Sequence, residues 1–413
     1  MAEENWQILL FWLPYVLIPI INAIVGWGTN WLALKMTFYP LEFLGIPPYL
    51  GWQGIIPNKA ASMAEKSVDM LTEKLIDSVE LFERMDPARV AEEMKEEVDA
   101  LSEKIINEVM LAQAPLLWKP LPKRAKRLVY EKASENLPET VAEMMDDIKV
   151  NIDELFNVKQ MTIDILLENK QLLNDIFEEC GKEEFVFIER SGIYFGFLFG
   201  MIQTILWYFV QQNGWMSGFE WTLLPAFGLL VGWATNFIAL KIIFYPLNPI
   251  KIGPIRIQGL FIKRQYEVAE IYSRIVAENI LNMPNIFDEI IRGHTQDKLT
   301  EVIRKHIDHA VDEAVGSSKT IFEFMAGKKK IEIAKNIATY RFMEELPVSI
   351  RKIFGYADEA LDVETTLCEK MQTLTPVEFE GFLHPVFEED EWKLILVGAV
   401  LGGLAGTAQL FMF

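Results

Sequence analysis

Two Thr-Asn pairs, Thr29-Asn30 and Thr235-Asn236, stand in stretches without formal charge. Asn5 to Leu34 holds no Asp, Glu, Lys or Arg, and neither does Trp221 to Leu240. A hydroxyl and an amide in hydrocarbon have two uses. They hydrogen-bond neighbouring helices, or they line a route for an ion or small polar solute. Gln203 and Gln409 raise the same question in two further uncharged stretches, Ser191–Phe219 and Leu394–Phe413. Both readings stay open here. Asn236 lies roughly 12 Å deep from the inner end of its span and Gln203 roughly 16 Å, at 1.5 Å per helical residue. Those depths predict an amide–amide bond between the two. Lys35 and Lys241 each follow an Asn by five residues. There they reach the inner interface or meet lipid phosphates.

Other chemistry is scarce. The four histidines are His294, His306, His309 and His384. His306 and His309 share a helix face without a fixed third ligand, so they read as a solvated surface pair rather than a metal site. Phosphate-binding, serine-hydrolase and zinc-protease motifs are absent. No catalytic residue, metal or cofactor is expected, and the chain does not read as an enzyme. Cys180 and Cys368 do not fall at equivalent positions, which argues against a structural disulfide. The net charge of −20 lacks the basic footprint of a nucleic-acid binder. It also disfavours a broad electrostatic grip on anionic lipid.

The elements that must carry these residues are membrane helices. About 20 apolar residues cross the hydrocarbon layer, and four uncharged runs predict spans near 9–34, 192–210, 221–244 and 394–413. The first run lacks a preceding Lys or Arg and a following cleavage site, so it reads as a retained span rather than a signal peptide. Gly192, Gly196 and Gly200 form a ridge on one helix face that admits a close neighbour, and Gly398, Gly402 and Gly406 form another.

The two ridges are 206 residues apart, and so are Gln203 and Gln409. Residues 26–41, GWGTNWLALKMTFYPL, match 232–247, GWATNFIALKIIFYPL, at eleven of sixteen positions with the same offset. Gln53-Gly54 matches Gln258-Gly259 after a one-residue deletion. One offset held through polar and apolar parts predicts a tandem duplication. The units are 1–206 (spans 9–34 and 192–210, soluble helical 58–189) and 207–413 (spans 221–244 and 394–413, soluble helical 259–392). The fold expected is an all-α membrane protein with four transmembrane helices and two helical soluble domains. Two spans per unit make the units parallel. The lysines and arginines gather on the soluble side, which puts that side in the cytoplasm of a cell with the chain in its inner, or cell, membrane.

Between the spans, Asp86-Pro87 and Thr375-Pro376-Val377-Glu378 are helix starts. Met70, Leu71, Leu75 and Val79 form an apolar stripe. KIGPIRI at 251–257 alternates around Gly253-Pro254 as a hairpin does. The amphipathic faces form an ordinary core, or stay open to lipid; they lack the Lys/Arg-rich polar side of surface-binding helices. The partners expected are membrane lipid and further copies of the chain in a homo-oligomer. No protein partner is named by these residues.

TNWLALKMTFYP, GIIPNKAASMAE and EEDEWKLILVGAVLGGLAGTAQ resemble the YheB-like proteins, a family of bacterial multi-pass membrane proteins known as a domain of unknown function. The resemblance is clear at the ends of each unit and weak in the helical middle. It implies a cell-membrane location and brings no activity or catalytic residues. Three functions follow as expectations: a membrane scaffold with cytoplasmic helical domains, an oligomeric transporter or channel, and a lipid-transfer or membrane-remodelling protein.

Overall fold

The computed structural model describes residues 2–46, 50–212, 220–315, 328–383 and 391–411. A long helix, α1 (Ala2–Phe38), leads into an antiparallel hairpin, β1 (Leu44–Ile46) and β2 (Leu50–Trp52). Amphipathic helices follow, among them α2 (Lys95–Gln113), the one-turn α3 (Pro115–Trp118), α4 (Lys123–Ser134), α5 (Leu137–Val150) and α6 (Lys170–Cys180). Two long apolar helices come next, α7 (Lys182–Gln212) and α8 (Glu220–Phe244). A second hairpin, β3 (Ile250–Ile252) and β4 (Ile255–Ile257), precedes α9 (Met283–Arg292), α10 (Gln296–Val315), α11 (Lys328–Ser349) and α12 (Glu391–Leu410).

Among the described residues, four helices are long and apolar enough to cross a membrane: Tyr15–Phe38, Lys182–Val210, Trp221–Phe244 and Glu391–Leu410. Each overlaps one expected span, the first displaced toward the helix C-terminus. The connection expected at 211–220 lies mostly outside the described residues. Local signals also hold. Asp86 accepts from the Ala88 N–H, with Pro87 at the helix start. Thr375 and Glu378 bond reciprocally as a capping box. Gly253 turns the second hairpin at φ +61°. Pro347 sits inside the last turn of α11.

The chain forms two compact units. One gathers Met1–Met70, Leu166–Tyr272 and Cys368–Phe413. The other gathers Leu71–Ile165 and Ser273–Leu367. The expected layout put a separate soluble domain in each half; the two middle segments instead share one core. α2 packs on α11 and α5 on α10. Val98 and Met144 line the same apolar space as Ile303 and Leu346. Each segment's apolar faces are covered by the other's, and that removes more surface from water than either achieves alone.

In the first unit, α1 packs on α7 and α8 on α12, and the two pairs pack on each other. Ile18, Trp207 and Leu224 share one buried cluster of this bundle. The hairpins hang from its ends alike. Gln53 Nε2 donates to the Leu41 carbonyl at 2.7 Å, and Gln258 Nε2 to the Leu247 carbonyl at 3.0 Å. The Tyr39-Pro40 and Tyr245-Pro246 bonds are both cis.

Candidate functional site

The bundle's polar residues are fixed by its closest helix contacts. A β-carbon on Gly192 would collide with the Gly26 carbonyl, and one on Gly196 with the Asn22 carbonyl. In the other pair, Gly398 abuts Asn236 and the Gly232 carbonyl, and Gly402 abuts the Gly228 carbonyl. Gly200 meets Pro19, and Gly406 meets Leu224 and Pro225. The six predicted glycines therefore line two seams where backbones touch.

Backbones this close let an asparagine on one helix reach the carbonyls of the next. Asn30 Nδ2 donates to the Ile188 carbonyl at 2.6 Å. Asn236 Nδ2 donates to the Leu394 carbonyl at 2.8 Å. Both asparagines are buried, and neither amide oxygen has a donor among the described residues. Thr29 and Thr235 turn their hydroxyls back to the Gly26 and Gly232 carbonyls within their own helices. The bond expected between Asn236 and Gln203 does not form, because the carbonyl of Leu394 lies closer at hand. Gln203 Nε2 instead donates to Gln409 Oε1 at 3.5 Å. Asn22, which is not among the sequence candidates, donates to Gln203 Oε1 at 2.6 Å and to the Ile18 carbonyl. An amide in an uncharged run is the signal that points to it, but the repeat does not, because residue 228 is glycine.

At the charged end, Lys35 lies over the Tyr39 ring and Lys241 over the Tyr245 ring, each 5.3 Å from the centroid. Lys241 also stands 3.5 Å from Glu391. Tyr39 donates to Glu178 and Tyr245 to Glu380. These lysines are thus engaged by protein groups. Arg264 forms the densest ion cluster here, 2.7 Å from Glu184, 2.7 Å from Glu267 and 3.3 Å from Glu183. Its hydrogen bonds to Glu267 and Glu184 push its pKa further up. Glu184 is 2% exposed and lines a small cavity of 30 Å³ with Thr37, Cys180, Ile188 and Leu394. Burial pushes the Cys180 thiol up to about 12, so it is an unreactive core group.

The other unit holds two apolar cavities, of 70 and 130 Å³. Both are lined by Val98, Val141, Met144 and Phe342, so they adjoin. The polar groups beside the larger one are already engaged. Thr140 donates to the Asn136 carbonyl and Ser102 to the Asp99 carbonyl. His306 departs from the expected solvated pair: it is buried, 2.9 Å from Asp147, while His309 is exposed. Hydrogen bonds from Lys305 and then His306 hold the Asp147 carboxyl below the usual range. His294 lies 3.4 Å from Glu289, and His384 is outside the described residues.

α4 departs from the expectation that polar faces lack basic residues. It reads KRAKRLVYEKAS and buries none of its side chains. The chain's acidity had hidden this local reversal.

No family model matches the chain, and no solved structure matches it. Two UPF0754 membrane proteins from strains of Staphylococcus epidermidis are 27% identical over 122 residues. That is 29% of this chain and 32% of theirs. A UPF0754 membrane protein of Staphylococcus haemolyticus is 26% identical over 83 residues, 19% of this chain and 22% of its own. The match thus spans about a third of the length of the curated relatives, or less. These low-identity relatives are named as membrane proteins, and this chain has four apolar helices of spanning length. Its location is a membrane.

Proposed function

We propose that the chain is a non-enzymatic scaffold of the bacterial cell membrane, of YheB-like kind, built by tandem duplication of a two-span unit. The units are 1–206 and 207–413, and the helical segments between spans face the cytoplasm. The observation that carries this reading is the use of the bundle's amides. Asn30, Asn236, Gln203 and Gln409 bond across helix seams. Such bonds contribute about 0.6–2 kcal/mol each. The duplication is supported by repetition of whole interactions at one offset: Asn30 with Ile188, Asn236 with Leu394. Gln203 and Gln409, which correspond, meet each other, as residues on a pseudo-two-fold axis do.

The scaffold works as a homo-oligomer. Replacing Asn30 and Asn236 together by Leu loosens the two seams within each chain and thereby weakens assembly of the copies, read by native mass spectrometry from detergent. A double variant that assembles normally but loses a solute flux in liposomes defeats this reading in favour of the channel.

A second reading, lipid handling, draws on the adjoining apolar cavities. The larger, at 130 Å³, is close to the engineered apolar cavity of about 150 Å³ that stays dry and binds benzene. Filling it with Ala338→Leu then lowers the amount of lipid or fatty acid that co-purifies. Equal amounts from both proteins count against lipid handling.

A further inference from the structure

Lys119, Lys123, Arg124, Lys126 and Arg127 fall within nine residues, and no acidic residue occurs from Lys119 to Tyr130. In a chain of net charge −20 this is a concentrated reversal of sign. A second stretch adds to it. Lys330, at the start of α11, donates to the Gln113 carbonyl at 3.0 Å, and Lys329 beside it is exposed.

Apolar side chains stand among these cations. Leu116 is 90% exposed, Leu117 65% and Leu128 66%. They are held outward by a fixed support. Trp118, in the same single turn as Leu116 and Leu117, is fully buried, and its Nε1 donates to Asn107 Oδ1 at 2.8 Å. Lys126 lies over the Trp118 ring and Tyr130 packs edge-on to it. With Trp118 anchored, its two neighbouring leucines have no inward direction left.

Basic residues interleaved with exposed leucines are the composition of a helix lying in a lipid interface. We propose that α3 and α4 form a docking face for an anionic phospholipid bilayer surface. The cations meet the headgroup phosphates, and Leu116, Leu117 and Leu128 enter the acyl boundary. Charge complementarity selects this occupant, because an anionic bilayer surface offers phosphates to the cations and an acyl boundary to the leucines. Each Lys or Arg near an anionic surface strengthens binding about fivefold, and salt screens it.

The test uses the full chain in nanodiscs, with Cys368→Ala and a polarity-sensitive fluorophore on Leu117→Cys. Discs of phosphatidylcholine are mixed with phosphatidylglycerol or phosphatidylcholine vesicles, and a parallel set of discs contains phosphatidylglycerol itself. The expected result is a blue shift with the anionic lipid, in the disc or in the vesicle, that fades with added salt. Reversing Lys119, Lys123 and Arg124 to Glu should weaken the binding that the shift reports by at least about a hundredfold, since three attractions are lost and three repulsions added. These three side chains are exposed, and circular dichroism checks that the variant folds. No shift with anionic lipid in either arrangement overturns the proposal, as does a shift unchanged by charge reversal. A shift without anionic lipid that grows with protein concentration assigns the face to another copy of the chain, and overturns it too.

Discussion

The seam between α1 and α7 and the seam between α8 and α12 use the same asparagine, threonine and glycine positions, yet they differ in one slot. The first has Asn22, which reaches Gln203; the second has Gly228, whose backbone abuts Gly402. One pair of helices gains a polar tie and the other gains proximity. What the seams share, Asn30 and Asn236 bonded to carbonyls with glycines opposite, is what close packing requires. The part that differs is free to specialise.

The largest effect is expected at Arg264, which stands where the first half has Lys59. Arg264→Met leaves Glu184 buried without its cation, and should destabilise the membrane unit by about 3–5 kcal/mol. Thermal unfolding in nanodiscs measures this, with Arg264→Lys falling between because it keeps the charge and loses the planar fork. Gly228→Ala comes next. The new methyl meets the Gly402 carbonyl and should cost about 1–3 kcal/mol, read as a lower unfolding midpoint. Asn22→Ala, at the matching position, should cost less, about 0.6–2 kcal/mol. Equal losses at the two positions would mean that the seams work alike.

The smallest effect belongs to the other unit. Asp147 has a lowered pKa in the fold, so its pairing stabilises above the unfolded carboxylate pKa of about 3.9. That contribution disappears as pH falls through the lower folded value. Asp147 is partly exposed, so the loss should stay under about 1 kcal/mol. Acid titration of helical signal, compared between the wild type and Asp147→Asn, should differ only in this acid window.

The parts of the fold readable in the sequence are those that repeat or that act locally. Uncharged runs marked the four long helices, and Gly253 with its alternating neighbours marked a hairpin. The glycine ridges were placed correctly because their spacing alone fixes a helix face. Recurrence does not mark Asn22, since its counterpart is Gly228. The joint core of 71–165 and 273–367 was equally hidden. Helical periodicity tells that Val98 and Met144 need cover, but not that Ile303 and Leu346 supply it. The basic helix vanished into a net charge averaged over the whole chain.

That joint core sets a timetable for biosynthesis. Helices α2 and α5 emerge from the ribosome long before α10 and α11, since about 200 residues separate Ile165 from Leu367, the last residue of the shared unit. At a translation rate of about 5–20 residues per second, the early helices wait roughly 10–40 s for their partners. Throughout that interval their apolar faces are uncovered beside a membrane into which the neighbouring segments are being inserted. The nascent chain is therefore most open to chaperones, proteases and misassembly between its two halves, and truncations within 273–367 should be cleared rather than accumulate as half-proteins.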